Sequence, residues 1–205
     1  HLIENIYKSL IPVLVPAMFS APPANSSRSL EPRAIVTVLS EYHKHFSKNL
    51  VPKDITTQFF DQVYFFINAH SFNALFDPVG KRCKMGSAIM LKMAVSELEM
   101  WADGRQMAKC RDNLTALRQS SDIMIMNKAS LVDESTRREV CPTLTLIQVR
   151  KVLQLYQPDE YDPDTVPSSV LKALPTPSES QRRGSTIEKP EVEEGMLHRP
   201  VFDLD

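Results

Sequence analysis

The stretch that decides the fold is Gln58-Phe59-Phe60-Asp61-Gln62-Val63-Tyr64-Phe65-Phe66-Ile67-Asn68. On a helix, its apolar side chains occupy almost the whole circumference. Such a helix is typical of the interior of a bundle, not of a surface. We predict one central helix from about Pro52 to about Phe76, with Asp54 in its first turn complementing the helix dipole. The turn residues Asp77-Pro78-Val79-Gly80 then end the helix.

Helical periodicity continues on both sides of this central helix. Apolar residues recur three and four positions apart in four further segments: Ile3, Ile6, Tyr7, Leu10 and Leu14; Ile35, Val38, Leu39, Tyr42 and Phe46; Leu91, Val95, Leu98 and Ala102; Val149, Val152, Leu153 and Tyr156. Pro12 and Pro16 are expected to kink or end the first of these helices. Strand signals are weak throughout, so the sequence predicts an all-α fold, an elongated multi-helix bundle with a disordered C-terminal tail.

Capping residues give expected helix ends. Ser87 is expected to cap the helix that follows the central one, and Gly104 to be the C′ residue after its end. Beyond it we expect one longer helix carrying Leu114, Leu117 and Met124. Thr145-Leu146-Ile147-Gln148 has the capping-box pattern, in which the first and last side chains each bond to the other residue's backbone.

Composition excludes several functional classes. The chain has 205 residues with a formal net charge of -1, which argues against a protein whose main role is binding nucleic acid. Five glycines against 15 prolines make a many-stranded fold or a glycine-rich phosphate loop unexpected. The apolar run from Leu10 to Phe19 is too short for a span of about 20 residues, so no membrane insertion is expected. Because the chain begins at His1, it is interpreted as a piece of a longer protein.

No motif for enzymatic chemistry is found, so no catalytic site, metal or cofactor is expected. The cysteines Cys83, Cys110 and Cys141 lack zinc spacing and are predicted to be buried, reduced thiols. Histidines two positions apart in His43-Lys44-His45 point to different helix faces, which favours a solvated basic face over a metal site.

The polar ends and loops are expected to lack fixed structure. Residues from Pro175 onward are rich in Pro, Ser and Glu and are predicted to form a disordered tail, and Ser20 to Glu31 a flexible loop. Within the tail, Arg182-Arg183-Gly184-Ser185 fits a kinase that prefers basic residues upstream, which makes Ser185 a candidate phosphorylation site. Chance occurrence of so short a motif is the alternative.

Two blocks, with their spacing, carry a family resemblance. The first is the central stretch with Ser71-Phe72-Asn73-Ala74-Leu75, and the second is Val95-Ser96-Glu97-Leu98-Glu99-Met100-Trp101. They resemble the dilute (DIL) domain, best known from the second half of the class V myosin globular tail. The resemblance identifies a structural signature: Phe72, Asn73, Leu75, Ser96, Leu98, Glu99 and Trp101. It covers about residues 1–174, giving a DIL domain over 1–174 and a tail over 175–205.

The resemblance implies a cargo-binding tail module of an unconventional, class V-like actin-based myosin. Its implied partners are cargo adaptor proteins, Rab-type GTPases and the motor head of the same protein, in vesicle or organelle transport. The implied location is cytoplasmic, associated with the cytoskeleton or vesicles, and any ATPase motor would lie outside this chain. The alternative is a cell-junction or Ras-signalling scaffold of the afadin kind, which has a DIL domain but no motor. An enzyme is a third hypothesis, disfavoured by the missing motifs.

Overall fold

A computed structural model describes residues 1–20 and 33–176. Within these ranges the chain forms eight α-helices and two short 3-10 helices, with no strand. The α-helices are α1 (Leu2–Phe19), α2 (Arg33–Lys48), α3 (Lys53–Leu75), α4 (Met85–Asp103), α5 (Thr115–Ile125), α6 (Glu134–Val140), α7 (Leu146–Leu155) and α8 (Ser168–Ala173). The all-α class is confirmed. The described residues exclude most of the predicted loop and the tail beyond Thr176. Ser185 lies in that excluded part of the tail.

Helix α3 is the centre of the bundle, as predicted. Residues 66–69 are all buried, so a complete turn of this helix is shielded from solvent. Helices α1 and α5 and the 3-10 helix Ala108–Leu114 pack against α3. Tyr7 of α1 stacks on Phe66 with ring centroids 3.9 Å apart. Burial of this apolar surface is the main force holding the helices together.

Helix α1 runs unbroken through Pro12 and Pro16, so the expectation that these prolines end it is wrong. Each proline removes one helical hydrogen bond. The opposing gain is the buried face of α1, which packs against α2, α3 and α4. That face comprises Ile6, Leu10, Leu14, Ala17, Met18 and Phe19. Tertiary packing has overridden local helix propensity.

Because α1 has 18 residues, it is long and apolar enough to cross a membrane by length and composition, unlike the shorter run considered above. The same criterion admits a helix in the core of a protein without a membrane span. A third of the helix is buried, along the face that packs in the bundle.

The start of α4 differs from the expectation. Ser87 is not its cap but a buried residue inside the helix, which begins at Met85 with Lys84 as N-cap. Lys84 makes no side-chain capping bond. Instead, the carboxylate of Asp159 accepts the backbone N–H of Gly86 at 2.7 Å. The start of α4 is therefore capped by a residue distant in sequence, and not by the nearby serine that was predicted.

The end of α4 is also set differently from the expectation. Gly104 has right-handed helical geometry, with φ -60°, and the left-handed residue is Gln106, with φ 58°. The N–H of Gln106 donates to Asp103 O and that of Met107 to Ala102 O, both at 3.0 Å. This is the Schellman arrangement, shifted two residues beyond the glycine.

The same motif ends α2. Leu50 has φ 53°, and its N–H donates to Ser47 O at 3.2 Å. The N–H of Val51 donates to Phe46 O at 3.0 Å. A leucine therefore occupies the left-handed position where glycine is usual.

The longer helix expected after α4 is divided into two. Ala108–Leu114 is a 3-10 helix, and α5 begins at Thr115. The amide of Asn113 donates to the Asp61 side chain at 2.8 Å, and Asn68 Oδ1 accepts from Leu117 N at 3.3 Å. These bonds to α3 hold both pieces against the central helix.

Helix α7 confirms the predicted capping box. Thr145 Oγ1 accepts from Gln148 N at 3.2 Å, and Gln148 Oε1 accepts from Thr145 N at 2.9 Å. After α7 the chain continues to α8, and Leu174, directly after that helix, is 2% exposed. Arg150 on α7 donates to the carbonyl oxygens of Leu171 and Leu174 and fixes this end of the described chain.

Candidate functional site

The signature residues fall mainly in the core. Phe72, Leu75, Leu98 and Trp101 are buried, Asn73 and Glu99 are half-buried, and Ser96 is exposed. Apart from Ser96, these residues do not form an exposed binding patch. Two of them connect α4 to α3, since Trp101 packs on the Phe60 ring and Leu98 O accepts from the Tyr64 hydroxyl.

Trp101 joins three helices. It is 5% exposed, and its ring centroid lies 5.0 Å from that of Phe60 on α3. Its indole Nε1–H donates to Ser40 Oγ on α2 at 2.8 Å. The guanidinium of Arg105 lies 4.2 Å from the ring centroid, in cation–π geometry. The indole is thus buried with its polar atom satisfied.

The predicted basic face at His43-Lys44-His45 is only partly correct. Lys44 and His45 are exposed, but His43 is half-buried. Its ring lies 6.0 Å, between centroids, from both Phe60 and Trp101. Burial lowers the pKa of His43, and nearby Arg105 lowers it further. His43 belongs to an aromatic cluster because of how α2 packs, which its sequence neighbours do not reveal.

An ion pair between α4 and α5 was not anticipated. Arg118 donates to the carboxylate of Glu99, with the two side chains 39% and 21% exposed. The tyrosine hydroxyl of Tyr64 on α3 donates to Leu98 O on α4 at 2.7 Å. An ion pair to α5 and a hydrogen bond from α3 therefore reinforce the packing of α4.

All three cysteines are free thiols and buried, as predicted. Burial raises the pKa of Cys83 and of Cys110 to about 12, and raises that of Cys141. Thiolates are the reactive form of cysteine, so these groups are suited to packing and not to nucleophilic chemistry. Among the described residues, no group of three or more His, Cys, Asp or Glu could hold a metal ion.

A segment that we call the strap, residues 157–167, passes over the start of α4. Gln157 N donates to Cys83 O at 2.8 Å. Further along, Asp162 accepts from the Tyr156 hydroxyl at 2.6 Å and from the ammonium of Lys128. These two bonds lower the pKa of Asp162 below its usual range. Lys128 itself is only 6% exposed. The buried lysine is thereby compensated by a carboxylate.

A cleft of about 720 Å³ lies between α6, the loop after it and α8. Its apolar lining includes Cys141, Pro142, Leu144, Leu146, Leu174 and Pro175. Its charged lining comprises Arg137, Arg138, Lys172 and Glu134. The cleft combines an apolar wall with an excess of cations, and no sequence motif pointed to it because its residues come from separate segments.

The DIL domain family model matches residues 58–160, which is half of the chain. The chain belongs to the DIL domain family. The matched part of this DIL domain runs from within α3 to just beyond α7, and the resemblance seen in the sequence is confirmed.

Similar proteins include myosin heavy chains. The DIL chain is 34% identical over 121 residues to the myosin-H heavy chain of Dictyostelium discoideum, covering 56% of this chain and 7% of that one. A solved myosin V cargo binding domain matches its fold with a TM-score of 0.72 at 16% identity, covering 95% of this chain and 55% of that one. Myo2-GTD in complex with Mmr1 matches with a TM-score of 0.75 at 17% identity, covering 92% and 47%. This chain therefore has the fold of about half of a myosin V cargo binding domain.

Proposed function

We propose that this chain is a cargo-binding tail module of an unconventional, class V-like actin-based myosin. It binds adaptor proteins or Rab-type GTPases in vesicle or organelle transport. The carrying observation is the family match together with the fold of the myosin V cargo binding domain. Myo2-GTD has been solved in complex with Mmr1, which supports protein partners. The described core, packed by signature residues and inert thiols, suits a binding module.

The proposal extends to the rest of the protein. The ATPase motor lies outside this chain, and the motor head is a further partner of the tail. The location is cytoplasmic, associated with the cytoskeleton or with vesicles. Nucleic acid and membrane insertion play no part in this function.

The experiment is expression of the chain, fused to a fluorescent protein, in cells with motile organelles. The fusion should decorate those organelles, and an excess of it should slow them, because it occupies the adaptors without supplying a motor. Phe66→Asp, which places a carboxylate in the core, is the control and should do neither. Accumulation at cell junctions with unchanged organelle movement would favour the scaffold alternative.

We further propose the division into a domain over residues 1–174 and a tail over 175–205, with Ser185 as a phosphorylation site in the tail. Burial of Leu174 supports the boundary. Limited proteolysis should leave a resistant core ending near Leu174. Ser185→Glu should alter partner binding and leave the melting temperature unchanged, and a lowered melting temperature would contradict this division.

A further inference from the structure

We propose that the cleft between α6 and α8 binds a peptide segment of a protein partner that combines acidic and apolar side chains. A carboxylate of the peptide pairs with Arg137, and an apolar side chain lies against Leu146. This inference rests on the proposed function, since it gives the chemistry of the partner.

Arg137 is the first reason. It is 9% exposed, and its Nη1 donates to the carbonyl oxygens of Leu131 and Val132, both at 2.6 Å. Among the described residues, its Nε has no hydrogen-bond partner and no carboxylate lies within ion-pair distance of it. A buried cation without a counter-ion is costly, and a carboxylate supplied by a partner would offset that cost. The planar guanidinium is well suited to bind a carboxylate.

The charge balance of the cleft is the second reason. Two further cations, Arg138 and Lys172, are exposed at its edge. Among the described residues that line it, the only carboxylate is that of Glu134, which pairs with Arg138 at 2.6 Å. Three cations against one carboxylate favour a negatively charged partner and repel a basic one.

The apolar wall is the third reason. Leu144 and Leu174 form its buried part, at 7% and 2% exposed. Leu146, in the first turn of α7, is 43% exposed and offers an apolar surface that no residue of the described chain covers completely. Clefts of this volume accept ligands the size of a few side chains. The partner segment must therefore carry an apolar residue close to its carboxylate.

The test is selection of binders to the full chain from a phage-displayed random peptide library, followed by affinity measurement with a fluorescein-labelled selected peptide. We expect enrichment of peptides with Asp or Glu next to Leu, Ile or Phe. Lys172→Glu should weaken binding about tenfold, and Leu146→Ser should also weaken it. Lys44→Glu, a charge reversal at another exposed lysine, is the matched control and should change nothing. Enrichment of neutral or basic peptides, or equal binding by Lys172→Glu and Lys44→Glu, would overturn the proposal.

Two competitors test the identity of the occupant. If phosphoinositide vesicles displace the labelled peptide and bind in a Lys172-dependent way, the cleft is a lipid headgroup site and the proposal is wrong. If changing Glu191, Glu193 and Glu194 to Gln in the full chain raises peptide affinity, the occupant is the chain's own tail, which also overturns it. If the vesicles do not displace the peptide and the tail substitutions do not change its affinity, the occupant is a partner peptide.

The organelle assay separates this inference from the proposed function. If the wild-type fusion and Lys172→Glu slow organelles equally, the tail-module function stands and the cleft is not its peptide site. If Lys172→Glu abolishes slowing while the melting temperature is unchanged, both are supported. If the wild-type fusion has no effect although Lys172-dependent peptide binding is measured, the cleft inference stands and the transport function fails.

Discussion

Asp159 caps the start of α4 from 73 residues away, accepting the backbone N–H of Gly86 at 2.7 Å. A side chain at position 86 would crowd this contact, since an added Cβ would lie 3.1 Å from Asp159 Oδ2 and 3.2 Å from the Tyr161 ring. The backbone N–H groups in the first turn of a helix have no acceptor within the helix, and here the strap supplies one. The strap and α4 therefore stabilise each other.

Asp159→Ala should lower the free energy of unfolding by about 1 kcal/mol, the usual effect of losing a helix cap. The other oxygen of Asp159 accepts from Tyr161 N and Asp162 N, so the strap should also loosen. Urea denaturation measures the change. The control is Glu160→Ala, an exposed neighbour, and equal effects of the two substitutions would show that the cap contributes nothing.

Trp101→Ala should cost about 3–5 kcal/mol, because it removes a large aromatic side chain from the contact between α2, α3 and α4. Ser40→Ala, which removes only the hydrogen-bond acceptor of the indole, should cost about 1 kcal/mol. Thermal unfolding followed by circular dichroism compares the two. A melting curve unchanged by Trp101→Ala is incompatible with its packing role.

Leu50→Gly should raise stability by about 0.5 kcal/mol. A leucine pays a steric cost at φ 53°, which glycine does not, although glycine loses more entropy on folding. Since Leu50 is 88% exposed, its removal sacrifices little packing. Leu50→Ala keeps the Cβ and its backbone cost, so it should give no gain in urea denaturation. A gain of similar size in both variants would contradict this explanation.

The Asp162 carboxylate should make stability fall in acid. Its pKa is lowered in the folded state by its bonds to Lys128 and Tyr156. Its contribution is therefore complete above the unfolded pKa of about 3.9 and is lost as the pH falls through the lower folded value. We expect Asp162→Asn to be clearly less stable than the wild type at neutral pH and nearly equal to it well below that folded value. Denaturation at several pH values checks this, and a stability difference independent of pH would refute it.

Sequence reasoning was most accurate where apolar periodicity was strong. The bounds of α3 and the capping box at Thr145 and Gln148 were both predicted correctly. It was less accurate at helix ends. Helix α4 begins two residues before Ser87, where Asp159 accepts a backbone N–H. It ends at Asp103, directly before Gly104, but the left-handed residue of the Schellman turn is Gln106.

The candidate cleft could not be predicted. Arg137, Lys172 and Leu146 belong to three helices and have no fixed spacing that a motif could record. The signature residues, which the sequence does reveal, lie mostly in the core. Core residues are constrained by packing and thus form recognisable patterns, whereas exposed residues at a binding site resemble any solvated surface.

The sequence by itself determined the helical class, the central buried helix and the family. These follow from the spacing of apolar residues, which is a local property of the chain. Only the tertiary structure decided that α1 continues through two prolines and that the strap caps α4. It also decided that the buried Arg137 and a set of apolar side chains line the same cleft. The physical reason is that each of these depends on groups far apart in the chain, whose contacts exist only once the helices have packed.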